Sequence, residues 1–323
     1  QAQVIRDVVE EAVVADQVGC DFIGLGEHHR PDFAVTTPEM VLATIAGRTS
    51  RIKLGSAVTV LSSDDPVRVF QRFSTLDASS NGRAEVILGR GSFIESFPLF
   101  GYPLEQYETL FEEKLALFVQ LLEADRTRSA LSWRGTTRAP LEHQRALPYT
   151  DSGALKAWVG VGGSPESVVR AAHHGIPLML AIIGGNPRRF APYIALYERE
   201  LAARGKPMLP VGIHSHGYVS TSDEAARTEL WPHYKAMRDR IGRERGWPPT
   251  SQDEFEREIQ FGSLYAGSPE TVAQRIASTV RDMGVQRFDI KYSAGTLSHE
   301  QCVRCIELYG TQVIPRVKEL LAE

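Results

Sequence analysis

Two adjacent histidines follow a short apolar segment near the start of the chain. Residues 22–25 have the apolar character of a buried strand in a parallel sheet, and Glu27, His28 and His29 come directly after it. Imidazole groups exchange protons near neutral pH, and α/β folds keep their sites at the carboxyl ends of strands. We therefore predict that the chemistry of this chain faces His28 and His29. The competing interpretation is a hydrogen-bonded surface pair.

A second candidate site lies where two glycines precede a predicted helix. Gly162 and Gly163 come before Ser164 and Pro165, and Ser167 stands within the first turn. Small residues at a helix start leave backbone N–H donors open, and the two serine hydroxyls add further donors. This pattern predicts an anion pocket that fits a phosphate. The alternative is that Ser164 only caps the helix.

Arg90 follows a predicted strand at 84–89. A guanidinium at that strand end would complete the recognition of a phosphate dianion. An arginine in this position can instead pair with a nearby carboxylate, so the sequence allows either role for Arg90.

The elements that position these residues alternate between strands and helices. Such alternation indicates a parallel sheet with right-handed crossovers, and eight strands would close a TIM (β/α)8 barrel. Seven strands are predicted, beginning at Phe22 and continuing at 52–61, 84–89, 157–160, 177–183, 211–219 and 287–292. We therefore expect one barrel domain over residues 1–323, with its first strand absent from these residues. The rival, an open doubly wound sheet, lacks its G-x-G-x-x-G fingerprint.

Two segments interrupt the alternation. Residues 125–151 have an irregular pattern and are interpreted as an insertion, and residues 251–262 form a polar insertion. The stretch 246–262 is either a lid or a solvated excursion. Thr37 and Asp65 each precede a proline at a predicted helix start, where they are expected to cap the helix.

Composition excludes several classes of protein. The chain has 323 residues and a formal net charge of −4, which argues against a nucleic-acid binder because phosphate neutralisation needs a basic face. No apolar run approaches a membrane span and no signal peptide is recognisable, so a cytoplasmic location is expected. Among the three cysteines, Cys302 and Cys305 could serve zinc only with two further ligands, which the sequence does not identify.

Several segments, taken in order and spacing, resemble the flavin-dependent luciferase-like monooxygenases over nearly the whole chain. They are GLGEHH at 24–29, LGSAVTVLSSDDPVR at 54–68, LDASSNGRAEVILGRGSF at 76–93, VGGSPESVVRAAHHGIPLML at 161–180, SLYAGSPETV at 263–272 and FDIKYSAG at 288–295. The resemblance implies a TIM barrel that uses reduced FMN and dioxygen to oxygenate a small organic substrate.

The same resemblance implies roles for particular residues. Arg90, Ser164 and Ser167 would hold the FMN phosphate with help from the amide of Gly163, and Gly162 belongs to the same loop. Ala57 and Val58 would lie behind the flavin ring and be joined by a cis peptide bond. His28 and His29 would be the catalytic pair: His28 would act near the flavin reaction centre as a general acid/base or a stabiliser of the oxygenated flavin, and His29 would line the pocket. The aromatic residues that could wall the substrate side are Phe93, Phe97, Phe100 and Tyr102.

One position departs from the family pattern. Gly89 stands where light-emitting members carry a reactive cysteine, so bioluminescence is not expected. The family also implies a separate flavin reductase as partner, and a homodimer formed by the helices at 38–48 and 67–80. No metal is expected.

Three other functions stay open on the sequence. A deazaflavin could replace FMN, because related enzymes of this fold use either cofactor. A metal-dependent barrel hydrolase could use His28 with His214, His216 and Asp289. The chain could also bind flavin without catalysis.

Overall fold

The computed structural model describes residues 1–151 and 153–322. The strands are β1 (Phe22–Leu25), β2 (Lys53–Val60), β3 (Ala84–Gly89), β4 (Leu131–Trp133), β5 (Leu141–Gln144), β6 (Lys156–Val161), β7 (Leu178–Ala181), β8 (Val211–Val219), β9 (Tyr265–Gly267) and β10 (Arg287–Lys291). The helices are α1 (Ala2–Gln17), α2 (Pro38–Ala46), α3 (Pro66–Ser79), α4 (Ser96–Phe100), α5 (Tyr107–Thr127), α6 (Pro165–His174), α7 (Ala191–Ala202), α8 (Asp223–Arg245), α9 (Gln252–Gln260), α10 (Pro269–Met283), α11 (His299–Leu308) and α12 (Ile314–Ala322). None of the helices in the described part of the chain combines the length and apolar character needed to cross a membrane.

The chain divides into two compact units. The first contains residues 1–16, 21–160 and 170–177, and the second contains residues 17–20, 161–169 and those from 178 onward. All seven strands predicted from the sequence are present, at β1, β2, β3, β6, β7, β8 and β10. Whether the units form the single domain expected from the sequence stays a prediction.

The first unit contains a parallel run of strands in the order β1, β2, β3, β6. Phe22 pairs with Lys53, Leu54 with Ala84, and Glu85 with Lys156. The register between β2 and β3 shifts between Ala57 and Thr59. All six residues of β3 are buried, as expected for a strand that is covered on both faces.

In the second unit, β8 lies between β7 and β10, and all three are parallel. The short strand β9 pairs with the end of β8, and the sequence pattern had not revealed it. The apolar core of this unit lies between β8, β9 and helices α8 to α11, and contains Tyr218, Phe255, Tyr265 and Ile276.

The helix-cap predictions had different outcomes. Asp65 caps α3, because its carboxylate accepts the N–H groups of Val67 and Arg68. The prediction for Thr37 was wrong: its side chain makes no cap hydrogen bond to α2, which begins with Pro38 at its first turn. Pro38 presets the helical backbone at that position and has no N–H to satisfy.

The first of the two insertions is more regular than predicted. Helix α5 continues to Thr127, and β4 and β5 then form an antiparallel hairpin. The expectation of an irregular segment at 125–151 was therefore wrong over much of its length, because a two-stranded ribbon needs only a few alternating residues to form.

The second insertion is a packed helix. Phe255 and Ile259 on α9 are buried in the core of the second unit. The alternative that 246–262 is a solvated excursion was therefore wrong for the part that α9 occupies, and the polar insertion at 251–262 has one apolar face. The four-residue spacing of Phe255 and Ile259 places both on one helix face. The carboxylate of Glu258 accepts the N–H of Gly185 at 3.0 Å, and the Ser263 hydroxyl accepts the N–H of Gly184 at 2.7 Å.

Candidate functional site

Glu27 joins the end of β1 to the irregular part of β2. Its buried carboxylate accepts the backbone N–H of Val60 at 2.8 Å, and its own N–H donates to the carbonyl of Val58 at 3.3 Å. The other carboxylate oxygen lies 2.9 Å from Nε2 of His29. Because a carboxylate only accepts hydrogen bonds, this contact makes Nε2 the protonated nitrogen of His29.

The two histidines have different surroundings. The ring of His28 lies 4.0 Å from that of Phe33 and 5.4 Å from that of Phe93, measured between centroids. The ring of His29 meets Phe100 edge-on at 4.9 Å, and its side chain is 9% exposed. His29 is therefore oriented by a carboxylate, whereas His28 is half-buried among aromatic rings.

Only part of the predicted aromatic wall surrounds the histidines. Phe93 and Phe100 contact His28 and His29, respectively. Phe97 is fully buried against Tyr107, as a core residue. Tyr102 lies beneath the ammonium of Lys114, whose Nζ is 3.8 Å from the ring centroid.

The peptide bond between Ala57 and Val58 is cis, as predicted. The Val58 side chain covers two glycines of neighbouring strands: a Cβ added at Gly89 would lie 2.5 Å from Val58 Cγ2, and one at Gly160 would lie 3.0 Å from Cγ1. Contacts under 3.0 Å do not occur between ordinary packed carbon atoms. Gly89 therefore has no room for a cysteine side chain unless Val58 moves.

Arg90 is engaged by a carboxylate. Its guanidinium pairs with Glu108 and lies 5.4 Å from the ring centroid of Tyr107. Glu108 also bonds Arg170 at 3.0 Å, and Arg170 pairs with Glu112. The carboxylate partner considered in the sequence analysis is thus observed, within a chain of alternating charges along α5.

In the second unit, Gly162, Gly163, Ser164 and Ser167 form the turn into α6. The carbonyl of Gly163, whose φ is +122°, accepts the hydroxyl of Tyr193 at 2.8 Å. A Cβ at Gly162 would meet nothing within 4 Å, and one at Gly163 would meet only the Tyr193 hydroxyl, at 3.9 Å. The space beside both exposed glycines is therefore open, and we call this loop, residues 162–164, the glycine cradle.

The serines of this turn also have structural roles. The Ser164 hydroxyl donates to Glu166 at 2.7 Å and accepts the N–H of Ser167 at 3.4 Å. Ser167 is 3% exposed. Ser164 thus does what a capping residue does, and the cradle beside it fits an anion at a helix start.

A polar group on β8 and β10 was noticed in the sequence only as a possible metal site. In the described ranges 1–151 and 153–322, no three or more His, Cys, Asp or Glu side chains are arranged to hold a metal ion. Arg287 instead pairs with Asp289, and Cys305 Sγ accepts the N–H of Val219 at 3.2 Å. The strand register, which a single sequence does not give, would have revealed the grouping of His214, His216 and Lys291.

Comparison with known proteins gives a consistent result. A family model described as luciferase-like monooxygenase matches residues 1–287. The alkanal monooxygenase alpha chain of Photorhabdus luminescens is 26% identical over 233 residues, which cover 69% of this chain and 60% of that one.

Two solved structures share the fold. The oxygenating constituent of 3,6-diketocamphane monooxygenase from Pseudomonas putida, a type II Baeyer-Villiger monooxygenase in complex with FMN, has a TM-score of 0.78 at 17% identity, over 98% of this chain and 94% of that one. An F420-dependent secondary alcohol dehydrogenase in complex with an F420-acetone adduct has a TM-score of 0.77 at 18% identity, over 97% and 95%. The α/β fold class of the TIM-barrel monooxygenases, predicted from the sequence, is confirmed.

Proposed function

Because this chain is an enzyme of the luciferase-like monooxygenase family, we propose that it uses reduced FMN and dioxygen to oxygenate a small organic substrate. The open glycine cradle at the start of α6 is the observation that carries this proposal. It offers backbone N–H donors and a helix N-terminus, which together suit a phosphate group. The FMN complex of the Pseudomonas putida monooxygenase, which shares the fold, supports the same cofactor.

The phosphate would be held by Gly163, Ser164 and Ser167, with Gly162 leaving space for it. Ser164 would have to turn its hydroxyl away from Glu166 to donate to the phosphate. The resemblance also assigns Arg90 to the phosphate, which requires its guanidinium to exchange Glu108 for the ligand. Such an exchange is chemically reasonable, because phosphate and carboxylate oxygens present similar acceptors to an arginine.

Ala57 and Val58 would support the flavin ring. His28 would donate or accept a proton beside it. When bound, reduced FMN supplies the electrons that activate dioxygen. The rings of Phe33 and Phe93 cover part of the His28 imidazole, and this holds it in a defined position as a proton donor or acceptor. His29 is held in one orientation by the contact of its Nε2 with Glu27, and it would line the pocket beside His28.

The remaining parts of the proposal concern partners. A separate reductase would supply reduced FMN in the cytoplasm, and α2 and α3 would form a homodimer. Met40 on α2 is 68% exposed, as expected for an apolar side chain that a second copy would cover. Sedimentation should then give twice the chain mass, and a monomer at high concentration would rule out the dimer.

A deazaflavin-dependent oxidoreductase is the second candidate. The F420-dependent dehydrogenase that shares the fold is the observation in its favour. Anaerobic titration of the protein with reduced FMN and with reduced F420 separates the two. We expect reduced FMN to bind more tightly, and preferential binding of F420 would replace the first proposal with the second.

The same titration tests the site. Arg90→Ala and Ser167→Ala should each weaken reduced FMN by about 10-fold or more, because each removes a phosphate donor. Arg126→Ala is the matched control, since Arg126 is an exposed arginine that also pairs with a carboxylate, Glu123. Wild-type affinity in both site variants would contradict the phosphate site, and a protein that binds neither cofactor would contradict the function.

A further inference from the structure

The second unit carries a charged face that the flavin proposal does not use. In the parallel pairing of β8 and β10, Asp289 is opposite His214 and Lys291 is opposite His216. Paired residues of parallel strands point to the same side of the sheet, and alternate residues point to opposite sides. These four side chains therefore share one face, together with Arg287.

The opposite face is the apolar one. The Phe288 ring lies 4.7 Å from that of Tyr265 and packs against the core formed with helices α8 to α11. Since Phe288 lies between Arg287 and Asp289 in the strand, the polar residues point away from these helices. Lys291, His214 and His216 are each half-buried, so none is sealed in the core.

The charges on this polar face do not cancel. Arg287 and Asp289 form a two-point ion pair, with Nε to Oδ1 at 2.7 Å and Nη2 to Oδ2 at 2.8 Å. Lys291 has no carboxylate partner among the residues that the structure describes. Burial lowers the pKa of Lys291 to about 8, which leaves its ammonium mostly protonated at neutral pH. A half-buried ammonium without a counter-ion is costly unless a ligand supplies one.

The two imidazoles beside it are neutral. Burial and the nearby charges of Lys291 and Arg287 lower the pKa of His214 to about 4. Burial, Lys291, His214 and Arg238 lower the pKa of His216 well below its usual value, and the charge of Arg238 is balanced by Glu254 at 3.3 Å. Each neutral imidazole keeps one N–H donor. The face therefore offers one positive charge and two neutral donors, a set that matches a monoanion with two oxygens.

We propose that Lys291, His214 and His216 form a binding subsite for a carboxylate on the organic substrate. The subsite rests on the proposed function, because it names the chemical class of the molecule to be oxygenated. In it, the Lys291 ammonium pairs with the carboxylate and the imidazoles donate to its oxygens. The Arg287–Asp289 pair closes one end of the face without competing for the ligand, since its charges already cancel.

Benzoate and benzamide are suitable probes, since they differ in charge but hardly in shape. We expect calorimetry to show that wild-type protein binds benzoate more tightly than benzamide. Lys291→Met should weaken benzoate by about 10-fold or more and leave benzamide unchanged. Lys318→Met, at an exposed lysine on α12, is the matched control and should bind benzoate as the wild type does.

A wild-type measurement makes the test independent of how well the variant folds. Benzoate affinity should fall as the pH rises through about 8, because the Lys291 amine loses its proton there while Arg287 stays charged and both imidazoles stay neutral. Equal affinity for benzoate and benzamide in wild-type protein, or a benzoate affinity that Lys291→Met leaves intact, would overturn the subsite.

Titration with reduced FMN separates this proposal from the one on which it rests. Lys291→Met should bind reduced FMN as tightly as wild-type protein does. Loss of FMN affinity in this variant would overturn the substrate subsite, because Lys291 would then serve the flavin. Failure of wild-type protein to bind reduced FMN would contradict the proposed function instead, whatever the result with benzoate.

Discussion

The Val58 side chain lies against Gly89 so closely that a single added carbon at Gly89 would come within 2.5 Å of Val58 Cγ2. Gly89 belongs to the fully buried strand β3, and Val58 Cβ and Cγ1 would also lie only 3.1 and 3.3 Å from the added carbon, so rotation of the Val58 side chain alone does not make room. The absence of a side chain at this position is therefore a packing requirement of this chain.

Gly89→Ala should destabilise the protein, because the new methyl group must displace Val58. Overpacking of this kind costs about 1 to 3 kcal/mol in free energy of unfolding, measurable by urea denaturation. Gly47→Ala is the control: its φ is −72° and the nearest atom to the new Cβ is 3.7 Å away. A Gly89→Ala protein as stable as the control would show that Val58 adapts freely.

Glu27→Ala should loosen the connection between β1 and β2. It leaves the buried N–H of Val60 without its acceptor, which costs about 1 to 3 kcal/mol, and it frees the His29 ring. Glu27→Gln keeps a carbonyl oxygen for Val60 and should lose less. Hydrogen exchange at the Val60 amide should be faster in Glu27→Ala than in Glu27→Gln. Equal exchange rates in the two variants would argue against this role of Glu27.

His28→Ala should retain reduced FMN yet change its reaction with dioxygen. Removal of a positioned proton donor or acceptor slows such a step by about 100-fold or more, which stopped-flow absorbance of the flavin measures. His143→Asn is the control, since His143 is exposed and its φ of +49° is one that asparagine tolerates. An unchanged rate would show that His28 has no part in the reaction with dioxygen, and would favour the interpretation of His28 and His29 as a structural pair.

Stability should rise with pH just above neutrality. Burial lowers the pKa of Lys114 to about 8 from its ordinary 10.5, so the unfolded chain holds this proton more tightly than the folded one. The folded state is penalised below pH 8 and regains stability as the pH rises from about 8 towards 10.5, by roughly 3 kcal/mol in full.

Urea midpoints between roughly pH 7.5 and 9.5 measure this rise, below the range in which buried tyrosines titrate. Lys291 contributes in the same window, so Lys114→Met should keep only part of the increase. Lys318→Met should keep all of it. A urea midpoint that does not change with pH in wild-type protein would show that folding does not lower the pKa of Lys114 or Lys291.

Regular alternation made the strands and most helices predictable, because apolar runs of strand length and helical periodicity are local signals. The misses were non-local. β9 has only three residues and is defined by its pairing with β8. Helix α9 has only two buried apolar residues, and their role is apparent only once the core that they enter is known. Arg90 was foreseen at its strand end, but its partner Glu108 lies 18 residues away. The grouping of His214, His216 and Lys291 likewise depends on a register that one sequence does not contain.

Glu258 and Ser263 hold the backbone of Gly184 and Gly185, although more than 70 residues separate the two segments. Any relative that shortens α9 must therefore find other acceptors for these two amides or change the course of the chain after β7. The loop after β7 and the segment from α9 to Ser263 depend on each other, so a chimaera between family members should take both segments from the same parent.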